Sequence, residues 1–175
     1  MEHVLTHRLP EDDSIGERGR PSLMLLLGAG SDHYAIDAGQ VAEVVVSVEL
    51  TPLPSAPEGV VGLVNHHGRM LPVVDLCRLM LGRDCNRLLS TRIVMLRFPS
   101  ACPSAGLVGL RAEHVTDGVW ADPADLTCAE GDFDEAVYLR RVIGRRTEMV
   151  SVLCLDRLLP ESLRLRLTPD RAQET

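Results

Sequence analysis

Short apolar segments separated by glycine and proline run through this sequence, and they constrain its fold more than any other feature. The segment 41–48 is rich in valine, and the segments 60–64 and 70–74 flank a turn that contains Gly68. Short β-branched runs between turn residues are typical of β-strands. Their close spacing favours a β-barrel or sandwich over a sheet that alternates with helices.

The segment 60–76 predicts a β-hairpin that leads into a short helix. Gly68 suits a tight turn because glycine tolerates positive φ. Asp75 stands just before an apolar leucine-rich run that ends at Gly82, so we expect Asp75 to cap a helix there.

The same order of elements recurs near the C-terminus. An apolar strand at 149–155 is followed by Asp156, an expected helix cap, and then by Arg157-Leu158-Leu159 before Pro160. The two copies of strand, aspartate and leucine helix indicate two similarly built subdomains.

Charge and composition exclude several classes of function. The formal net charge is −7, which is the wrong sign for binding a nucleic-acid backbone. All 18 positive residues are arginine, so chemistry that needs a lysine, such as Schiff-base formation or a Walker-type phosphate loop, is absent. Aromatic residues make up only 3%, so the core must be aliphatic.

Cysteine usage and hydropathy favour a soluble cytoplasmic protein. The five cysteines are odd in number, scattered and never in a C-x-x-C pair, which predicts neither a disulfide framework nor a zinc site. The first 20 residues lack the apolar core of a secretory signal, and no apolar run is long enough to insert into a membrane.

No catalytic constellation is visible in the sequence. There is no G-x-S-x-G motif, and Gly28-Ala29-Gly30 leads into a strand rather than the helix that a dinucleotide loop requires. His66 and His67 are adjacent, but neighbours in a strand point to opposite faces, so we expect no metal site. An enzyme that uses Cys102 or these histidines remains an alternative; otherwise we expect no catalytic residue, no cofactor and no metal.

The segment VVGLVNHHGRMLPVVDL at 60–76 closely resembles the signature of the CheW-like domain family. Further stretches agree with the family in order: Ser22 to Leu27, Tyr34-Ala35-Ile36-Asp37, Val41-Ala42-Glu43-Val44, Thr51-Pro52-Leu53-Pro54, Gly109 to Val115 and Val152 to Leu159. The resemblance covers roughly Pro21 to Leu163, which is nearly the whole of the chain expected to be ordered.

The resemblance implies a mainly β fold of two SH3-like five-stranded β-barrel subdomains around a shared apolar core, with short helices. We therefore expect the CheW-like domain at 21–163, between an acidic disordered N-terminal tail at 1–20 and a polar C-terminal tail at 164–175.

The resemblance also implies a non-catalytic adaptor of a chemosensory pathway. Its expected partners are the regulatory domain of a CheA-type histidine kinase and the cytoplasmic tip of a methyl-accepting chemoreceptor, so a cytoplasmic protein would be recruited to membrane receptor arrays. The pathway served by this adaptor is either the one that controls motility or an alternative chemosensory pathway with another output. A second hypothesis is a module that binds and caps the kinase regulatory domain without coupling it to a receptor.

By the family's motifs, seven positions are expected to form or support these protein contacts: Val41, Glu43, Gly62, Asn65, His67, Gly68 and Val115. A charge reversal at Glu43, or a bulky acid at Gly62, is expected to abolish partner binding and leave the fold intact. One departure stands out: His66-His67 occupies the place where family members usually carry Leu-Arg, and histidine is shorter than arginine and lacks its fixed charge.

Overall fold

The computed structural model describes residues 21–98, 106–122, 127–128, 137–138, 140–141, 150–159 and 161–163. Strands dominate these regions, and two short helices join them. The strands are β1 (Ser22–Ala29), β2 (Asp32–Asp37), β3 (Val41–Val46), β4 (Val60–His66), β5 (Arg69–Asp75), β6 (Arg92–Arg97), β7 (Leu107–Ala112), β8 (Gly118–Ala121), β9 (Thr127–Cys128), β10 (Val137–Tyr138), β11 (Arg140–Arg141) and β12 (Ser151–Leu153), and the helices are α1 (Leu76–Leu81) and α2 (Leu155–Leu158).

The central part of the chain forms a five-stranded sheet in the order β3-β6-β7-β5-β4. Thr51, which lies in the segment after β3, pairs with Leu63 of β4 through two backbone hydrogen bonds of 2.8 Å. Since β3 and β4 are the two edge strands, this pair brings the edges of the sheet together. A sheet whose edges meet in this way forms a small barrel.

The two ends of the described chain meet in a second five-stranded sheet, in the order β10-β12-β2-β1-β8. β1 and β2 form an antiparallel hairpin, and β12 pairs with β2 in parallel. A two-stranded sheet of β9 and β11 accompanies it. The second subdomain is therefore assembled from residues on both sides of the first in the sequence.

One apolar core joins the two subdomains. Side chains from the second sheet and α2 pack in the same cluster as side chains from the first sheet and α1: Leu27, Ile36, Leu153, Leu155 and Leu158 from the former, and Val74, Leu76, Val94, Leu96 and Leu110 from the latter. A smaller cluster around Ile93 and Met95 lies within the first sheet. The structure confirms the predicted mainly β fold with two five-stranded sheets and few short helices.

The two strand–aspartate–helix copies are not equivalent. Asp75 caps α1 as predicted, because its Oδ1 accepts a 2.9 Å hydrogen bond from the Arg78 amide, and Gly82 ends the helix with φ 67°. The second expectation was wrong: α2 has Cys154 at its N-cap position and no side-chain cap, so Asp156 lies inside the helix.

Several sequence predictions fall outside the described residues, among them the two tails at 1–20 and 164–175, and Cys102. Among the described residues, no helix is long and apolar enough to cross a membrane.

Candidate docking surface and cavity

The β4–β5 turn presents the predicted docking residues at the end of the first barrel. His66 pairs with Arg69, so the loop contains only His67 and Gly68, with φ of 49° and 80°. Positive φ at both loop residues is the geometry of a type I′ hairpin, which matches the twist of the flanking strands. Asn65 Oδ1 accepts a 2.9 Å hydrogen bond from the Gly68 amide and fixes the turn.

Glu43 lies beside this turn although it belongs to the opposite edge strand. An irregularity in the β3–β6 pairing between Val41 and Glu43 alters the strand locally, and the Glu43 side chain remains about half exposed. Its Oε2 lies 3.6 Å from Nε2 of His66 and 3.5 Å from Nε2 of His67. Barrel closure therefore brings together residues that are far apart in the sequence.

The two histidine side chains converge, contrary to the sequence-based expectation. Their ring centroids are 4.3 Å apart in an edge-on arrangement. Side chains alternate between the two faces only within a strand, and His67 lies in the turn with a left-handed backbone conformation. His66 is mostly buried at 14% exposure, whereas His67 is 79% exposed.

We call Glu43, Asn65, His66, His67 and Gly68 the turn surface. It brings together four of the seven predicted contact positions and adds His66, which the sequence analysis did not place among the contact residues. The sequence signal that could have identified His66 is its position next to His67 in the hairpin signature at 60–76.

The other three predicted positions, Val41, Val115 and Gly62, lie outside the turn surface. Val41 is partly buried against the large core cluster, and its carbonyl accepts a 2.6 Å hydrogen bond from Arg97 Nη1. Val115 is buried in that cluster at 8% exposure, and its amide binds the Ser90 carbonyl. Val115 is therefore a core residue, whereas Val41 remains partly exposed.

Gly62 is also buried, and its surroundings correct one expectation. Its φ is 149°, and a Cβ there would lie 2.7 Å from the Thr51 carbonyl oxygen. Thr51 forms the pair that closes the barrel. A bulky acid at Gly62 would therefore disturb the fold itself, and the expectation that the fold would tolerate it was wrong.

A cavity of about 630 Å³ opens on another side of the same barrel. The segment 46–50, from the last residue of β3 onward, and the segment 84–92, from the loop after α1 to the first residue of β6, form most of its walls. Several apolar side chains at this cavity are exposed: Val46 at 64%, Val48 at 51% and Leu89 at 96%. Exposed apolar side chains that line a concavity are typical of a protein-binding site.

Arginines outnumber acidic side chains in the cavity wall of a molecule that is acidic overall, although two of them are paired, Arg78 with Asp84 and Arg111 with the buried Asp75, each at 2.6 Å. Its walls contain four arginines, Arg78, Arg87, Arg92 and Arg111, against two acidic residues, Glu49 and Asp84. Sequence reasoning missed this site because these residues are scattered between 46 and 111.

The buried pair Cys77 and Cys85 does not resemble a catalytic site. Cys77 and Cys85 are buried with their Sγ atoms 3.0 Å apart, and burial raises the pKa of both thiols. A thiol kept protonated is a poor nucleophile and a poor metal ligand.

Comparisons with known proteins agree with this architecture. The family model described as "CheW-like domain" matches residues 23–163. A curated relative, "Chemotaxis protein CheW" of Rhizobium meliloti, is 23% identical over 144 residues, which cover 81% of this chain and 89% of the relative. "Protein FrzA" of Myxococcus xanthus is 31% identical over 70 residues, or 39% of this chain and 44% of that protein.

A solved structure shares the fold. It is the scaffolding protein TtCheW from Thermoanaerobacter tengcongensis, which matches with a TM-score of 0.67 at 20% identity, over 89% of this chain and 91% of that one.

Proposed function

The chain belongs to the CheW-like domain family, and from this we propose that it is a non-catalytic adaptor that couples methyl-accepting chemoreceptors to a CheA-type histidine kinase. The observation that carries the proposal is the presence of two separate exposed features on one barrel, the turn surface and the arginine-lined cavity. An adaptor must hold two partners at once, and two such features can do so. Both involve β3, since Glu43 belongs to the turn surface and Val46 to the cavity wall.

The chemistry of the two features differs, which suits two different partners. The turn surface is small, polar and held by a rigid hairpin. The cavity combines exposed aliphatic side chains with an excess of arginine, so it favours a partner segment that is apolar and acidic. The names of the relatives, a chemotaxis protein and a scaffolding protein, support the same pathway.

The adaptor would work by geometry rather than chemistry. A change in the receptor would shift the population of kinase states through the bound adaptor. Modest individual affinities would suffice, because many copies act together in a membrane-associated array.

The test is a calorimetric titration of the full chain against two partners from the same genome, one at a time. The first is the isolated regulatory domain of the CheA-type kinase, and the second is the receptor hairpin fragment. Binding of both supports the adaptor. Binding of the kinase domain alone replaces it with the capping module, and binding of neither overturns both proposals.

Two variants make the titration specific. Glu43→Lys should weaken binding at the turn surface, whereas Glu58→Lys makes the same charge change at another exposed position of the first subdomain and should have little effect. His67→Arg restores the residue that family members usually carry and should strengthen receptor capture. Unchanged capture by His67→Arg would contradict a role for this side chain in receptor docking.

A further inference from the structure

We propose that Glu43, His66 and His67 form a binding site for a divalent transition-metal ion of the Zn²⁺ class. Each side chain offers one ligand atom, Oε2 of Glu43 and Nε2 of each histidine, and all three atoms lie within 4.8 Å of one another. Two imidazoles and one carboxylate are a ligand set that Zn²⁺ accepts, with a fourth position left to water.

The distances within the group fit a shared ion better than direct hydrogen bonds. The two nitrogen-to-oxygen separations are 3.6 and 3.5 Å. A good N–H···O hydrogen bond is about 2.7–3.2 Å long. Ligand atoms on a tetrahedral ion with bonds of about 2.0–2.1 Å are about 3.4 Å apart. Both nitrogen-to-oxygen separations are therefore close to the spacing on an ion, and the two nitrogens lie within 4.8 Å of each other.

The backbone around the site is already fixed. His67 lies in a two-residue hairpin loop whose left-handed conformation turns its ring toward that of His66. Asn65 holds the loop through the Gly68 amide, and Glu43 lies on a strand of the same closed barrel. Ligands held on a hairpin and a strand require little ordering when the ion binds.

A second group of potential metal ligands among the described residues is buried and already occupied by other contacts. Asp75, Cys77 and Cys85 also lie close together, but they are buried. The carboxylate of Asp75 already binds Arg111 at 2.6 Å and two backbone amides, and burial raises the pKa of both thiols. Metal ligation by a cysteine requires the thiolate, so we assign the site to Glu43, His66 and His67 alone.

The test is a calorimetric titration of the tag-free full chain with ZnCl₂ and no partner present. Three chains are compared with the unmodified one: His67→Ala, Glu43→Gln and, as a control, His33→Ala, which removes an exposed histidine from the second sheet. We expect one Zn²⁺ per chain, a loss of affinity of at least about tenfold in the first two variants, and no change in the control. Mg²⁺, which prefers oxygen ligands, should not bind.

Two further measurements keep the result unambiguous. The His3→Ala/His7→Ala double variant removes the histidines of the N-terminal segment and should bind Zn²⁺ as the unmodified chain does. In NMR spectra, Zn²⁺ should shift the ring signals of His66 and His67 and leave those of His33 and His114 in place. Unchanged Zn²⁺ affinity in His67→Ala, or loss of binding in the His3/His7 variant, would overturn the proposal. Because no partner is used, this outcome is independent of the adaptor function.

Discussion

Glu113 is a buried carboxylate whose contacts hold three segments of the chain. It is 1% exposed. Its Oε1 accepts hydrogen bonds from Arg83 Nη1 at 3.0 Å and the Asn86 amide at 2.6 Å, and its Oε2 accepts one from the Gly30 amide at 3.0 Å. Burial alone would raise the pKa of Glu113, but these donors outweigh it and lower the pKa from 4.5 to about 2.

This lowered pKa predicts a specific dependence of stability on pH. A carboxylate whose pKa is lower in the folded state stabilises the fold above its unfolded pKa, and that contribution is lost as the pH falls from about 4.5 to about 2. Glu113→Gln should therefore cost roughly 2–3 kcal/mol near neutral pH. The measurement is urea unfolding of both proteins over a pH series.

The difference between the two proteins should narrow as the pH falls below about 4.5. Glu58→Gln, at an exposed position, serves as the control and should follow the unmodified protein throughout. A difference for Glu113→Gln that stays constant down to about pH 2.5 would contradict the assigned ionisation.

Gly62 and Gly68 both have positive φ, but their surroundings differ. A Cβ at Gly62 would lie 2.7 Å from a backbone oxygen, whereas at Gly68 nothing lies within 4 Å. Gly68→Ala should cost only the strain of a left-handed residue, about 1 kcal/mol. Gly62→Ala should cost roughly 2–4 kcal/mol, because the Thr51–Leu63 pair must also move. Equal unfolding free energies for the two variants would contradict this account.

At the scale of single elements, sequence prediction succeeded where the signal is local. The β4–β5 hairpin depends on Gly68 in its loop. The start of α1 depends on Asp75, whose side chain accepts a hydrogen bond from the amide of Arg78 three residues later. Both interactions span only a few residues, so they can be inferred from the order of residues alone. The expectation for Asp156 failed because α2 begins one residue before that aspartate, which places it past the cap position.

Asp75 does more for α1 than a surface cap would. Its Oδ1 binds the Arg78 amide, and its Oδ2 lies 2.6 Å from both Nε and Nη2 of Arg111, in a site with 0% exposure. Removing one partner of a buried ion pair leaves the other charge uncompensated.

Asp75→Ala should therefore destabilise the protein by roughly 3–5 kcal/mol. Asp37 provides the matched control, because it caps a single turn at Ala38–Gln40 through the Gly39 amide at 2.7 Å but is exposed. Asp37→Ala should cost about 1 kcal/mol. Thermal and urea unfolding measure the free energy of unfolding of both variants. A comparable loss of stability in the two would show that the ion pair between Asp75 and Arg111 adds nothing to the stability of the fold.

At the scale of the whole molecule, the two proposed docking features depend on contacts between distant segments of the chain and could not be inferred from local patterns. Glu43 meets His66 and His67 only because the edges of the first sheet come together. The cavity likewise contains arginines from α1, from the loop after α1, from the start of β6 and from β7. The overall fold was predicted from the resemblance to a family. The contact between the two histidine rings depends on the left-handed turn at His67 and was visible only in the structure.

If the turn surface and the cavity dock different partners, as proposed, single substitutions should uncouple the two partners. Glu43→Lys changes the turn surface, and Leu89→Asp changes the cavity, where Leu89 is 96% exposed and contributes little to the core. Each variant should lower the affinity for one partner by at least about tenfold, or about 1.4 kcal/mol, and leave the other nearly unchanged.

The measurement is a titration of each folded variant against the kinase regulatory domain and the receptor hairpin fragment. The acid placed at Leu89 removes an apolar contact and also adds a negative charge that repels an acidic partner segment. Leu89→Ala removes the contact alone and so separates the two effects. The adaptor geometry requires that the two substitutions affect different partners. If either one weakens both partners equally while circular dichroism shows an intact fold, the two features form one continuous interface, and a single partner must occupy it at a time.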